Sequence, residues 1–418
     1  MGKILPGKSL NVMLVATNFC RPDEARVPYG VSCLTNAFKT SGKNSGAIRT
    51  LVIDLNRFYQ TGRGDFRIKY GKLAKKIATL ILRSNCNVAA FSTFAWSDRL
   101  FSKTIAILSR HKKHPLIVVG GPMVIGTLGE LRKRYPGADF FIESYGEKVF
   151  ADFGVYLCGK ERLVKDLPAF ETLSSPYLDG EIPVSRSQSV RMELRRGCLF
   201  HCAFCRHRNL EKKVFCIGCR RTHVQELEFF KARGVRKINV LDPFFNDRRK
   251  DFKALSMNFL SDVRRLGLDA EISLQIRPEM LDEDYLDEAQ KMPNVIFEIG
   301  VQSLGDEVCA AIDRGAKNAV VLKKLSEVAC RKIRTEITLI YGLPKQTATA
   351  FRRDLETLCN MGFEKVSAFP LQVYPGTKLY ETYRDFGLEV KENALGILQV
   401  CGNPSGDFSE MEMLASTL

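Results

Sequence analysis

What the sequence lacks narrows it first. None of its apolar runs approaches the ~20 residues that a membrane-spanning helix requires, in a chain of 418 residues. The opening Met1-Gly-Lys-Ile-Leu-Pro6 has no apolar core ahead of its proline, so it does not read as a secretory leader. The expectation is a soluble, cytoplasmic protein with no membrane partner. Internal repeats and low-complexity tracts are absent, which excludes repeat arrays and disordered tails. Histidine is scarce, at five residues: His111, His114, His201, His207 and His223. No module with aromatic base-stacking positions is evident, so the net charge of +16 does not by itself mean nucleic acid. That charge suits either a polyanion or diffuse surface Lys and Arg.

Cysteine, by contrast, is plentiful. The 13 residues are an odd number and mostly scattered among apolar neighbours, which in a reducing compartment reads as buried thiols. Three of them cluster in Cys198-Leu-Phe-His-Cys202-Ala-Phe-Cys205, after the strand-like Val190–Leu194 and the turn residue Gly197. A loop presenting three thiolates at C-x3-C-x2-C spacing suits three irons of a cubane and leaves the fourth iron open to a small molecule. Zinc is the alternative, but closed zinc sites take four ligands, usually from paired C-x2-C motifs. Cys216-Ile-Gly-Cys219 followed by His223 is a candidate second metal site, for an auxiliary cluster or a zinc, or else two loop thiols. Between residues 195 and 221 eight basic residues (Arg195, Arg196, Arg206, Arg208, Lys212, Lys213, Arg220, Arg221) face one acidic, Glu211. A tri-thiolate cluster is anionic, so this charge has a use without RNA.

Residues 1–150 alternate strands and helices: strands at Asn11–Ala16, Thr50–Leu55, Val88–Ser92, Pro115–Gly121 and Ala138–Ile142, and helices opening at Pro28 and spanning Leu73–Leu82 and Phe101–Ser109. The pattern predicts an α/β, Rossmann-like, doubly wound parallel sheet. Its ligand contacts would lie beyond the strand carboxyl ends, at Thr17, Asn18, Ser92, Thr93, Gly120, Gly121, Tyr145, Gly146 and Glu147. Residues 151–188 read as an irregular linker. From 189 to 380 strands and helices alternate again, with a last strand running Lys365–Tyr374. Six βα units cannot close an eight-fold barrel, so an open partial (β/α)6 barrel is expected, working at the C-terminal ends of its strands. Residues 381–418 form a C-terminal extension, loop-like at Ser405–Glu410.

The C-x3-C-x-φ-C run, with Phe204 ahead of the last cysteine, resembles the signature of radical S-adenosylmethionine (SAM) enzymes. The resemblance implies a [4Fe-4S] cluster on Cys198, Cys202 and Cys205, SAM on the open iron, an electron donor such as flavodoxin or ferredoxin, and a 5′-deoxyadenosyl radical. It implies SAM contacts at Phe204, at Asp242 and Asn246 of Asp-Pro-Phe-Phe-Asn, at Gln275 and Arg277, at Glu298 and Gln302, and at Gly342. Leu371–Thr377 resembles the sixth-strand end of cobalamin-type members. The N-terminal domain is similar to the cobalamin-binding domain fused to many such enzymes, through Val27-Pro-Tyr29-Gly30, Phe91–Ser97, Val119–Pro122 and Ser144–Glu147. One departure is the missing Asp-x-His-x-x-Gly motif that supplies a lower cobalt ligand; cobalamin here would carry water or nothing below cobalt. The function so implied is a cobalamin-dependent methyltransferase acting on an unactivated carbon, or phosphorus, of a small-molecule or peptide substrate. The alternatives are non-methylating radical SAM chemistry (rearrangement, ring contraction, transfer of another SAM fragment) and a metal-stapled RNA- or protein-binding module.

Overall fold

The structure is a computed structural model. It describes residues 9–20, 28–60, 65–66, 68–209, 213–363 and 365–418; Met1–Pro6, Val27, Glu211 and Lys212 of the motifs above lie outside these. The chain divides into two compact units, residues 1–183 with 393–397, and residues 184–392 with 398–418.

The first unit is built on β1 (Leu10–Asn18), β2 (Gly46–Asp54), β3 (Val88–Ser92), β4 (Leu116–Gly120), β5 (Phe140–Ile142) and β6 (Leu163–Val164). All pairings are parallel and the order is β2-β1-β3-β4-β5-β6. The period-2 alternation of strand side chains divides its core in two. Ala89 and Phe91 join one apolar cluster, with Val15, Ile117 and Val119. Val88 and Ala90 join the other, with Leu14, Ala16 and Val118. Helix α1 (Tyr29–Thr40) gives Val31 and Phe38 to the second cluster. Helices α2 (Tyr70–Arg83) and α3 (Ala95–Leu108) cover the first. Their buried residues, Ala74, Ile77, Ala78 and Ile81, and Leu100, Phe101, Thr104, Ile105 and Leu108, recur at helical spacing and form one stripe each. The doubly wound sheet expected from the sequence is thus present, with one more strand. Residues 151–188 are not all irregular: they hold a helix at Phe153–Cys158 and β6, which pairs with β5. Two residues, Leu163-Val164, are too short to show a period in sequence.

The second unit carries β7 (Ser189–Met192), β8 (Lys237–Val240), β9 (Glu271–Ile276), β10 (Val295–Gln302), β11 (Thr335–Tyr341) and β12 (Lys365–Pro370), parallel throughout in the order β12-β11-β10-β9-β8-β7. Every C-terminal end therefore lies along one edge. One face of this sheet is sealed: Ile238, Ile272, Leu274, Phe297, Ile299, Ile337 and Leu339 are each at most 1 % exposed. The other carries Asn239, Gln275, Glu298, Glu336, Thr338 and Ser367, all half-buried.

Two expectations for the C-terminal part are corrected. The sixth strand stops at Pro370. Gln372–Val373 instead joins a separate antiparallel sheet with Leu398–Gly402 and Glu389–Glu392. The Ser405–Glu410 stretch is half helical: a helix spans Phe408–Ser416, and Asp407 caps it by accepting from the N–H groups of Ser409 and Glu410. Phe408 packs on Tyr341 at 5.4 Å, and Met411 is fully buried.

In the first unit Gly121 sits at φ +103°, where an added Cβ would lie 2.5 Å from the Thr93 carbonyl oxygen. Gly121→Ala should therefore cost more than about 1 kcal/mol, read as a lower urea-unfolding midpoint; an unchanged midpoint would contradict the close approach.

Candidate functional site

The three clustered cysteines lie on the excursion that follows β7 at the C-terminal edge. A two-residue ribbon closes its stem, with Arg195 opposite Cys216 and Arg196 opposite Phe215. Beneath it Arg195 Nε lies 2.8 Å from Asp242 Oδ2, both side chains being fully buried. Asp242 Oδ1 accepts from the backbone N–H groups of Leu194 (2.9 Å) and Arg195 (3.1 Å). Burial pushes the Asp242 carboxyl up to about 6, against the opposing pull of Arg195 and the two amides. The guanidinium also stacks near Phe245 and Phe252 and donates to the Phe252 carbonyl. Gly197 turns the chain at φ +91°, where a Cβ would fall 2.0 Å from the Lys213 carbonyl oxygen, so no other residue fits.

The tip of the loop is stitched by its own backbone. Ala203 N–H donates to the Ile312 carbonyl (2.8 Å), Leu379 N–H to the Ala203 carbonyl (2.9 Å), and Cys205 N–H to the Cys202 carbonyl (3.0 Å). Ala203 and Phe204 pack against the apolar cluster of Ile312, Leu343, Leu371 and Leu379. Arg206 donates to the Pro375 carbonyl at 2.8 Å. Cys198 and Cys202 are buried and Cys205 half-buried, none of them in a disulfide. Burial raises the Cys198 thiol, and the charge of Arg277 opposes that. Arg277, at the end of β9, donates from Nη1 to Cys202 Sγ at 3.5 Å.

The donor set fits a three-legged cluster. Among the described residues no three His, Cys, Asp or Glu side chains are disposed to hold one metal ion. That requirement does not apply to a cubane, in which each thiolate meets a different iron. It does apply to a single zinc, and Cys216, Cys219 and His223 are not among such groups. His223 is buried and bonds through Nε2 to the Ile217 carbonyl at 2.6 Å, a structural link across the turn. Cys219 faces Thr222 Oγ1 at 3.5 Å, and this contact lowers its thiol from the usual range.

The expected SAM contacts divide. Asp242 and Asn246 are fully buried and spent on the fold: Asn246 donates to the Arg277 carbonyl (2.7 Å) and accepts from the Arg277 N–H (3.0 Å). Both hydrogen-bond to the backbone in this structure. Gln275 and Glu298, neighbours in the β9–β10 register, are hydrogen-bonded to each other and half-buried. Gln302 ends β10 at φ +71° beside a register shift, with Oε1 buried and lacking a donor. Glu279 Oε2, two residues beyond Arg277, is likewise buried without a donor. Two orphan acceptors on this edge fit a ligand that carries N–H or O–H donors. Gly342, at φ +78°, leaves 2.8 Å between an added Cβ and the Phe408 ring, so the C-terminal helix is one reason for it.

The basic run is split between the interior and the surface, with Lys213, Arg220 and Arg221 exposed. Arg195 and Arg196 are buried in ion pairs with Asp242 and Glu193, and Arg220 pairs with Asp262. Sequence reading missed Arg314, a buried cation whose Nη2 donates to the Gly300 carbonyl; its loop carries no spacing signal. It also missed Asn239, Thr338 and Ser367 on the half-buried face, which the polar alternation within apolar strands could have revealed.

In the first unit, Thr93 is fully buried, and its N–H and Oγ1 both donate to the Gly120 carbonyl (2.7 and 2.8 Å). Gly121 passes close to Thr93, since an added Cβ there would lie 2.5 Å from the Thr93 carbonyl oxygen. Thr17 accepts from the Trp96 indole N–H at 3.2 Å, and Trp96 stacks on Phe94 at 4.8 Å and tilts against Phe19 at 5.9 Å. Asn18 is buried at the end of β1, while Ser92 and Gly120 are half-buried at the ends of β3 and β4. Tyr29 packs on Tyr177, and Tyr145 meets Phe170 edge-on at 5.3 Å, ahead of Gly146 and the buried Glu147. The edge where β1 and β3 part, the topological switch point, is thus rimmed by half-buried aromatics. His111 and His114 lie in the connection entering β4, at the opposite edge.

No protein-family model matches the chain. Over 368 residues it is 24% identical to the cobalamin-dependent radical SAM methyltransferase TokK of Streptomyces tokunonensis, covering 79% of this chain and 54% of that protein. It is 22% identical over 363 residues to a tRNA-2-methylthio-N(6)-dimethylallyladenosine synthase of Vesicomyosocius okutanii subsp. Calyptogena okutanii, covering 81% and 78%. Among solved structures, TsrM from Kitasatospora setae with tryptophan and a SAM analogue superposes with TM-score 0.63 at 16% identity, covering 88% and 75%. OxsB with aqua-cobalamin and SAM gives 0.66 at 14% identity, covering 98% and 66%. The chain spans about half the length of the first curated relatives it matches. In sequence the chain is thus similar to a cobalamin-dependent radical SAM methyltransferase. In fold it is similar to TsrM and OxsB, two radical SAM enzymes solved with cobalamin bound.

Arg195→Met would strand Asp242 as a lone buried charge and should cost about 3–5 kcal/mol. Adding Asp242→Asn, which keeps an acceptor for the two backbone N–H groups without the charge, should recover part of the loss in urea unfolding; a double variant no better than the single would refute the pairing.

Proposed function

We propose that the chain is a cobalamin-dependent radical SAM enzyme, most simply a methyltransferase acting on an unactivated carbon, or phosphorus, of a small molecule or peptide. The observation that carries this reading is the Cys198/Cys202/Cys205 loop on the C-terminal edge of a six-stranded parallel sheet, with Arg277 donating to Cys202. The cysteines would hold a [4Fe-4S] cluster, which when bound supplies the electron that turns SAM into a radical source. The chain's own share is to hold and shield. The Arg195–Asp242 pair fixes the stem of the loop, and its tip is buried among apolar side chains that exclude water. Gln275, Glu298 and Gln302 are the groups in reach of a polar ligand on that edge, and Phe204 and Gly342 border it. In the first unit, Thr17, Asn18, Ser92, Gly120 and the Phe94–Trp96 rim would hold cobalamin, with Tyr29, Gly30, Tyr145, Gly146 and Glu147 behind them. An electron donor of flavodoxin or ferredoxin type completes the reading.

A second reading, radical SAM chemistry without methyl transfer, is favoured by one observation: the aromatic edge of the first unit has no histidine to offer cobalt.

Anaerobic reconstitution should give about four irons and four sulfides per chain, and SAM should change the EPR spectrum of the reduced protein. Cys202→Ala should abolish SAM cleavage while leaving the fold intact, and retained cleavage would defeat the cluster assignment. The absorbance of protein incubated with cobalamin and then gel-filtered separates the two readings. A retained corrin band supports the first, and its absence supports the second.

A further inference from the structure

Resemblance assigned Arg277 to the cosubstrate, but the structure gives its guanidinium another employment. It lies 3.5 Å above the ring of Phe200, which belongs to the cysteine loop and meets the buried Phe244 edge-on at 5.1 Å. Its Nη1 donates to Cys202 Sγ at 3.5 Å. Its Nε and Nη2 both reach Glu279 Oε1, at 2.7 and 2.5 Å. The side chain is only 11 % exposed. Its main chain is clamped on both sides by the buried Asn246 amide, at 2.7 and 3.0 Å. Each of its three nitrogens therefore has a partner in the cysteine loop or in Glu279. Such a fork is rigid and stays charged, so it delivers a fixed positive charge to a fixed sulfur.

Arg314 is a second buried cation of this unit. Its Nη2 donates to the Gly300 carbonyl. Burial, and next the charge of Arg277, hold its pKa down, so the two cations sense each other. Glu279 offsets one of the two charges.

We propose that Arg277 is a positioning residue for the iron–sulfur cluster rather than a ligand of SAM: it clamps Cys202 and Phe200, and its charge makes the cluster easier to reduce. This rests on the radical SAM reading above. The physical reason is that the reduced cluster carries one more negative charge than the oxidised one. A hydrogen bond and a buried cation at the thiolate therefore stabilise the reduced form more, and hydrogen bonds to cluster sulfurs are one of the protein's means of setting the potential.

The test is an EPR-monitored redox titration of the anaerobically reconstituted full chain, as wild type and as Arg277→Gln and Asn246→Ala, after iron and sulfide counts. Equilibrium SAM binding to the oxidised proteins is measured alongside. At a fixed applied potential Arg277→Gln should lower the ratio of reduced to oxidised cluster about tenfold, a 59 mV shift for a one-electron couple. Asn246→Ala, which frees the Arg277 main chain without removing charge, should shift it the same way by less, and it carries the test should Arg277→Gln not fold. SAM affinity should stay within about twofold of wild type in both, well under the 1.4 kcal/mol of a tenfold change. Unchanged potentials overturn the proposal. So does a loss of SAM binding at unchanged potential, which would return Arg277 to the cosubstrate. A wild-type chain that takes up no cluster fails at the first step and removes the radical SAM reading itself.

Discussion

The second unit depends on one buried ion pair. Arg195 and Asp242 meet where no water reaches, and desolvating two charges costs several kcal/mol per ion before their attraction is counted. Other contacts of the two side chains offset part of that cost, although Arg195 Nε and Nη1 and Asp242 Oδ2 make no hydrogen bond. Asp242 takes two backbone N–H groups from the exit of β7 as well as the guanidinium, and Arg195 adds a carbonyl and two aromatic faces. Two apolar residues would hold the same volume, but they would not specify which backbone atoms meet. The pair fixes the direction in which the chain leaves β7, and the cysteine loop begins three residues later.

Parallel order supplies the rest of the site. Because all six strands of the second unit run the same way, the residues that follow them gather on one edge without being near in sequence. Asn246 after β8 can then clamp Arg277 after β9, which reaches Cys202 after β7. The first unit repeats the logic with different chemistry. The exits of its β1 and β3 bring Phe19, Phe94 and Trp96 together and keep histidine at the other edge. A flat ligand seated there would meet aromatic surface and no imidazole.

Charge in this protein works locally. The net charge of +16 and the basic stretch around the cysteines suggest a surface field, yet the arginines of that stretch that matter most for the fold are buried and neutralised in pairs. The cations that bear on the thiols, Arg277 and Arg314, come from elsewhere in the chain. A buried charge close to a sulfur outweighs several exposed ones, because water screens the exposed charges and not the buried one.

The sequence alone determined the two alternations of strand and helix, the parallel order that follows from them, and the three cysteines as a set. Hydrophobic period and local spacing carry that information within some ten residues. It determined neither β6, two residues long, nor the break at Pro370, where the following strand finds a different sheet, nor the last helix, which forms because Asp407 caps it and Met411 is buried. Nor did it show that Asp242, Asn246 and Thr93 hydrogen-bond to neighbouring backbone. A polar side chain at a strand's end looks the same in sequence whether it faces a ligand or a neighbouring backbone. Only tertiary packing decides, by bringing Leu194, Arg195 and Arg277 close enough to claim those oxygens and amides first.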